Sequence, residues 1–140
     1  MATDPQPPST AASAPRRRGC GKPALVLLLV ALVAAGLFAL YVWAALSYDY
    51  SAGERAGYIQ KFSRKGWVCK TWEGELAMVN LPGAMPEIFR FTVRDDAVAE
   101  RINATMGERV TLHYEQHIGL PTSCFGETDY FVTDVRGVTP

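Results

Sequence analysis

The sequence predicts an N-terminal transmembrane α-helix followed by a small β-barrel of the OB-fold type, with five strands and one helix between strands 3 and 4. Three observations support this fold class. Residues 23–46 are 24 consecutive residues without a charge. Several later segments alternate apolar and polar side chains, as half-buried strands do. Between the third and fourth of these segments the apolar residues recur at helical spacing, which is typical of a single helix.

The apolar segment at residues 23–46 has the length and the flanking charges of a membrane anchor. At about 1.5 Å per residue, such a helix reaches roughly 36 Å, enough to cross a hydrocarbon core of about 30 Å. Arginines 16–18 and Lys22 precede the segment, whereas the residues after it are acidic on balance. The positive-inside rule therefore predicts a cytoplasmic N-terminus and an outer C-terminal domain. The alternative, a signal peptide cleaved near Ala45, would have a shorter apolar core.

The remaining sequence divides around this helix. Residues 1–22 are rich in Pro, Ala and Ser and contain no aromatic residue, so they cannot bury enough apolar surface to order themselves. Cys20 belongs to this tail and is expected to be a free thiol in a reducing compartment. We expect four parts: a disordered cytoplasmic tail at 1–22, a transmembrane helix at 23–46, a linker at 47–55 and the OB-like domain at 56–140.

The membrane helix also carries a pattern of small residues. Ala31, Ala35 and Ala39 recur every fourth position, so they lie on one face of the helix. Small residues in such a row allow a second helix to approach closely, which makes self-association one interpretation. The other is that alanine is simply common in membrane helices.

The strands and the helix of the outer domain follow from periodicity. In residues 87–93, Phe89, Phe91 and Val93 alternate with polar side chains, which indicates a half-buried strand. After that strand, Val98, Ile102 and Met106 recur every fourth residue. The predicted strands are 56–63, 75–81, 87–93, 108–117 and 128–135, and the helix begins after the capping residue Asp95 or Asp96 and ends before Gly107.

The order of these elements indicates the topology. One helix between the third and fourth strands of a five-stranded set is the layout of the OB-fold. Closing the sheet into a barrel also removes most of the exposed strand edges. An SH3-like barrel and an open α+β sheet are the alternatives.

Two cysteines of the outer domain fall in loops that this fold brings together. Cys69 lies between the first two strands and Cys124 between the last two, and in an OB-fold both loops border the ligand-binding surface. On the oxidising side of a membrane, this pair is expected to form a disulfide. The alternative is two separate buried thiols.

The same loops contain the candidate ligand-binding residues Trp67, Lys70 and Phe125. Aromatic rings beside a cation are suited to a sugar or an anionic ligand. Trp72 is expected to pack in the core or at its edge. In such a loop, Arg64, Lys65 and Lys70 are most often solvated, and the functional interpretation is that they grip an anionic or sugar ligand beside the stacked rings.

Several function classes are disfavoured by the sequence. Residues 47–140 contain ten Lys/Arg and thirteen Asp/Glu, a net charge of −3, which argues against nucleic acid as a partner. His113, Glu115 and His117 alternate on one strand, so we expect them to share one outward face. They are candidate metal ligands, but this spacing is not a recognised metal motif, and a polar outer strand face explains it as well. No nucleophile motif and no glycine-rich phosphate or dinucleotide motif occurs. We therefore expect no enzyme activity, no metal and no cofactor.

The outer domain resembles a family of small bacterial single-span inner-membrane proteins. The resemblance covers about residues 50–136 and rests mainly on "RAGYIQKFSRKGWVCKTWEGEL" at 55–76, with "FRFTV", "GERVTLHYEQ" and "FGETDYFVTDV" after it. It implies an N-terminal anchor and a short β-rich outer domain, and it supplies no catalytic residues. Some members carry a 6-phosphogluconate dehydrogenase label. The outer domain here is too small for such an enzyme and lacks its glycine motif.

These observations predict a single-pass protein of a bacterial inner membrane with a periplasmic C-terminal domain. Its partners would be the lipid bilayer and another protein of the envelope, or an envelope assembly. The alternative function is binding of an envelope oligosaccharide or an anionic small ligand at the rim of the barrel.

Overall fold

The computed structural model describes residues 21–79 and 82–138, and these residues form two α-helices and five β-strands. The elements are α1 Gly21–Ser47, β1 Ser51–Lys65, β2 Thr71–Met78, β3 Ile88–Val93, α2 Asp96–Ala104, β4 Arg109–Gln116 and β5 Tyr130–Gly137. Residues 1–20 of the predicted disordered tail lie outside the described residues.

Helix α1 is long and apolar enough to cross a membrane, as judged by its length and composition. It begins at Gly21, two residues before the predicted start at Pro23, and ends at Ser47. Lys22 is its one charged residue, and its large apolar side chains are exposed. The helix is therefore compatible with a single-pass membrane protein.

The five strands form a closed barrel in the order β1-β2-β3-β5-β4. Strand β1 is long enough to pair twice, with β4 along its first half and with β2 along its second half. Strands β3 and β5 close the barrel as a parallel pair at Thr92 and Phe131, while the other pairs are antiparallel. Because β1 pairs with a neighbour on both sides, neither of its edges is free, and the five strands can close into a barrel.

The barrel interior is filled by the inward residues of the alternating strands. The largest fully buried apolar side chains are Leu76, Phe91, Val93, Ile102, Leu112, Val110 and Val132. Helix α2 buries its stripe of Val98, Ala99 and Ile102 and contacts β3 and β5. These side chains form one contiguous core, which fixes the positions of the loops around it.

Two polar contacts fix helix α2, one at its first turn and one between its Arg101 side chain and strand β5. The Asp95 side chain caps its start by accepting a hydrogen bond from the Ala97 amide at 2.8 Å. The Arg101 guanidinium lies 2.6 Å from Asp134 on β5, and this hydrogen bond holds the pKa of the Asp134 carboxyl below its ordinary value. The helix ends at Ala104, so Met106 lies beyond it and is 41% exposed rather than part of the buried stripe.

Two strands begin earlier than the periodicity predicts. Strand β1 begins at Ser51, inside the predicted linker at 47–55, because its first residues pair with β4 through their backbone and show no apolar alternation. Strand β2 begins at Thr71 rather than at residue 75. Trp72 therefore lies on a strand, where its ring stacks on Phe62 at 5.2 Å between centroids.

The early start of β2 makes the β1–β2 loop short. Strand pairing continues to Lys65 and Thr71, which leaves residues 66–70 as the turn. Gly66 has a φ of +126°, and a side chain there would also collide with the carbonyl oxygen of Cys69. A glycine is thus required at the point where the chain reverses.

A disulfide joins this turn to the β4–β5 loop. Cys69 and Cys124 are bonded, with their Cα atoms 4.9 Å apart and a sequence separation of 55. The predicted bond is therefore present in the structure. It connects two loops that share no strand pairing.

A buried carboxylate ties the same two regions together. Glu73 on β2 is only 5% exposed, although it lies on the outer side of the barrel wall. Its carboxylate accepts hydrogen bonds from the Thr71 hydroxyl at 2.7 Å, the Thr92 hydroxyl at 2.8 Å and the Glu127 amide at 3.1 Å. We call the disulfide and these three hydrogen bonds the loop clip.

Removing the disulfide should destabilise the outer domain. We expect the double substitution Cys69→Ser and Cys124→Ser to lower the free energy of unfolding by up to about 4 kcal/mol, because a cross-link of this span restricts the unfolded chain by roughly that amount. The measurement is chemical denaturation of the full-length protein in detergent, followed by tryptophan fluorescence. Cys20→Ser is the matched control and should leave the midpoint unchanged. A midpoint that responds to neither reductant nor the double substitution would contradict a stabilising disulfide.

Removing the buried carboxylate should release the β4–β5 loop. In Glu73→Ala, the Glu127 amide and two threonine hydroxyls lose their acceptor, so we expect a loss of about 1–3 kcal/mol. Hydrogen exchange at the amide of Glu127 should also become faster. The control is Glu75→Ala, which removes the exposed ion pair with Arg90 and should cost less than about 1 kcal/mol. Equal effects of the two substitutions would show that Glu73 does not hold the loop.

Candidate functional site

The clip produces an exposed surface at one edge of the barrel, which we call the clipped rim. It consists of residues 64–72 around the β1–β2 turn, residues 123–127 of the β4–β5 loop, and Arg94 after β3. In an OB-fold, the loops between strands 1 and 2 and between strands 4 and 5 border the ligand-binding surface. The clipped rim is therefore our candidate functional site.

Two large apolar side chains protrude from the turn of the clipped rim. Trp67 is 99% exposed and Val68 is 89% exposed. Their loop is anchored on one side by the strand ladder at Lys65 and Thr71 and on the other by the disulfide at Cys69. A tryptophan presented on an anchored loop loses little conformational freedom on binding, which suits it to be a binding anchor.

A cationic pocket lies beside this turn. Its volume is about 220 Å³, and its lining includes Arg64, Lys70 and Arg94 together with the rings of Trp72 and Phe125. The Arg64 guanidinium carbon is 5.7 Å from the centroid of the Trp72 ring, and that of Arg94 is 6.0 Å from the Phe125 ring. The rings thus orient the two guanidinium groups through cation–π contacts.

The three cations of this pocket are not neutralised within the part of the chain that the structure describes. The salt bridges of that part involve neither Arg64, Lys70 nor Arg94. Asp96, the one acid that lines the pocket, accepts a hydrogen bond from the indole nitrogen of Trp72 at 2.8 Å. The pocket therefore has a local positive charge, which attracts carboxylate or phosphate groups.

The predicted binding residues divide between two adjacent surfaces. Lys70 and Phe125 both line the cationic pocket. Trp67 lines a second groove with Val68 and Ser123, and Cys124 borders both. The disulfide thus separates the tryptophan from the two other predicted residues instead of placing all three around one ligand.

One of the three cations in this pocket, Arg94, was not among the residues for which the sequence suggested a ligand-binding role. Arg64 and Lys70 lie at the turn, where gripping an anionic ligand was one of the two interpretations, whereas Arg94 follows a strand that is distant in sequence. The pairing of Trp72 with Val93 is what brings Arg94 to the rim. The alternation of Arg90, Thr92 and Arg94 predicts that Arg94 points outward. It does not predict which residues of other strands and loops lie beside Arg94.

The alternating His113, Glu115 and His117 do not share an exposed face. Strand β4 ends at Gln116, and the amide of His117 donates to the Asp129 carbonyl at 2.9 Å. The His117 residue is only 4% exposed, and its ring contacts Phe131. The expectation of an outward-facing trio is wrong, because the His117 ring packs against Phe131 of β5 and against the backbone of Tyr48 before β1.

Two crystal structures of the mitochondrial single-stranded DNA binding protein Rim1 from S. cerevisiae are similar to this chain. One has a TM-score of 0.51 at 13% identity and covers 64% of this chain and 97% of that one. The other has a TM-score of 0.50 at 11% identity, with coverage of 65% and 96%. At these identities the likeness concerns the fold alone, and it confirms the predicted OB-type barrel. No curated protein matches the chain.

This likeness corrects our exclusion of nucleic acid as a partner. The exclusion rested on the net charge of −3 for residues 47–140. The barrel nevertheless has the fold of proteins named for binding single-stranded DNA. Three of its cations also lie together at the clipped rim. An average charge over the whole domain is therefore not a valid ground for the exclusion, because binding depends on the local field.

A match in sequence accompanies this match in fold. Residues 49–139 match the family described as Domain of unknown function (DUF8785). This range includes the whole barrel and both loops of the clip. It is also more than half of the 140 residues. The chain therefore belongs to the DUF8785 family.

Proposed function

We propose that this chain is a membrane-anchored, non-enzymatic binding protein of a bacterial inner membrane, and that its periplasmic barrel holds another envelope protein at the clipped rim. Helix α1 supports the anchor. The basic residues before it support the orientation. The disulfide supports an oxidising compartment for the barrel. Membership in the bacterial single-span family, without the dehydrogenase activity of its label, is part of the same proposal.

The exposure of Trp67 is the observation that carries this proposal. A large indole that is 99% exposed contributes nothing to the core, and Val68 beside it adds a second exposed apolar side chain. Tryptophan is enriched among the residues that dominate binding energy at protein interfaces. The anchored turn presents both side chains in a fixed position, so a partner would not have to order them.

The cationic pocket indicates the chemistry of the partner surface. Arg64, Lys70 and Arg94 lack acidic partners within the described residues and lie on the other side of the disulfide from Trp67. A complementary surface would bury the indole in an apolar pocket and place carboxylates beside it. Such charges would govern mainly the rate of association and the choice of partner.

Affinity capture from native membranes tests this proposal. Full-length protein should recover a defined protein partner, and Trp67→Ala should reduce that recovery at least about tenfold, since the loss of a central anchor costs upwards of about 1.4 kcal/mol. Tyr58→Ala is the matched control, because Tyr58 is an exposed aromatic residue on β1 outside the rim. Undiminished recovery by Trp67→Ala, or an equal loss in Tyr58→Ala, would exclude the rim as the interface.

A second candidate function is the binding of single-stranded nucleic acid. It is favoured by the OB-type barrel shared with single-stranded DNA binding proteins and by the rings of Trp67 and Phe125 next to unpaired cations. Proteins that bind single strands combine such stacking rings with a basic surface. In this case the cations would contact phosphates and the rings would stack on bases.

Oligonucleotide binding separates the two candidates. If nucleic acid is the ligand, a fluorescent single-stranded oligonucleotide should show saturable anisotropy that weakens steeply with salt. The triple substitution Arg64→Ala, Lys70→Ala and Arg94→Ala should then flatten this salt dependence, and Trp67→Ala should weaken binding. Binding with these properties would support the second candidate and displace the first. Absence of binding at low salt would eliminate the second.

A further inference from the structure

A buried histidine lies between two carboxylates near the start of β1. The Nδ1 atom of His117 is 3.8 Å from a carboxylate oxygen of Asp49, and its Nε2 atom is 3.8 Å from a carboxylate oxygen of Glu115. One ligand atom from each of the three residues can be chosen so that all lie within 4.8 Å of one another. We propose that Asp49, Glu115 and His117 bind one divalent transition-metal ion of the zinc class.

The backbone around His117 fixes how its ring is used. The Nδ1 atom lies 3.2 Å from the carbonyl oxygen of Tyr48, and a carbonyl oxygen can only accept a hydrogen bond. Nδ1 therefore carries the proton in the neutral ring, and Nε2 keeps its lone pair. The edge contact with Phe131 at 5.4 Å between centroids holds the ring in this orientation.

This orientation leaves two electron-rich groups facing each other. The Nε2 lone pair faces the Glu115 carboxylate at 3.8 Å, and the Asp49 carboxylate lies close enough for one ligand atom of each residue to fall within 4.8 Å of the others. The ring belongs to a residue that is only 4% exposed, so solvent screens this repulsion poorly. A metal cation bound between the groups would relieve this repulsion.

The donor set favours a metal of the zinc class. Zinc is bound by an imidazole nitrogen and carboxylate oxygens at about 2.0–2.2 Å, usually with four ligands. A ligating histidine commonly donates its other ring N–H to a backbone carbonyl, which is the arrangement at Tyr48. Three protein ligands leave a fourth position for water.

The group can contract around an ion because its two carboxylates are not buried. The Asp49 side chain is 50% exposed and that of Glu115 is 32% exposed, whereas that of His117 is only 6% exposed. Ligand atoms around one tetrahedral zinc ion are roughly 3.4 Å apart, so the carboxylates must move by about 1 Å. Rotation of their side chains supplies this movement while the histidine stays fixed.

The site would connect two parts of the barrel that already lie side by side. Asp49 precedes β1, and Glu115 lies on β4, where it pairs with Ala52 of β1. The amide of Tyr50 also donates to the Gln116 carbonyl at 2.9 Å. The ion would therefore fasten the chain before β1 to the end of β4. This replaces His113 of the trio considered from the sequence with Asp49, a residue from a distant segment.

Zinc titration of metal-stripped, full-length protein in detergent tests the proposal. The protein carries Cys20→Ser and an intact disulfide, so that no free thiol binds the probe. We expect one equivalent of Zn²⁺ by calorimetry and a higher thermal midpoint. Asp49→Asn and Glu115→Gln should each weaken binding at least about tenfold, a typical cost of a lost ligand or its support. His113→Gln is the matched control and should bind as the parent does.

The outcomes are distinguishable from those of the proposed function, since no variant touches the clipped rim. Binding lost in Asp49→Asn and kept in His113→Gln supports the site. Equal affinities for the parent and Asp49→Asn would overturn it. A thermal midpoint that is insensitive to Zn²⁺ but rises on acidification, and does so only with Asp49 and Glu115 present, would also overturn it, because a proton would then occupy the position.

Discussion

The joining of two loops that are distant in sequence is the constraint on which the clipped rim depends. The barrel brings the β1–β2 turn and the β4–β5 loop to the same edge, and the Cys69–Cys124 bond fixes them there. Glu73 reinforces the bond, because its carboxylate accepts a hydrogen bond from the Glu127 amide of the second loop. Trp67 therefore lies on an anchored loop, and its exposure follows from the fold rather than from local flexibility of the chain.

The fold was largely predictable because its signals are local. The alternation of Phe89, Phe91 and Val93 marks a strand, and the stripe of Val98 and Ile102 marks the helix between strands 3 and 4. Strand β1 was predicted too short because its first residues are small or charged and pair through their backbone. The disulfide was predictable only through the fold, since the topology and not the spacing brings Cys69 to Cys124.

The candidate site was predictable only in part because its groups meet through long-range contacts. Alternation along β2 places Glu73 on the outer side of the wall, where a carboxylate is expected to be solvated. Only the β4–β5 loop that folds across it explains its burial. The cluster of Arg64, Lys70 and Arg94 arises in the same way, and it shows why net charge was a poor guide to partners. Of the thirteen acidic residues in 47–140, only Asp96 lines this pocket.

The state of the cysteines in living cells is the most direct test of this account, since both the rim and its location depend on it. Cells are quenched with acid, their free thiols are alkylated, and bound thiols are then reduced and alkylated with a second label before mass spectrometry. The account predicts the second label on Cys69 and Cys124 and the first label on Cys20, the internal reference for a reducing compartment. The first label on Cys69 and Cys124 would contradict both the clip and the periplasmic location.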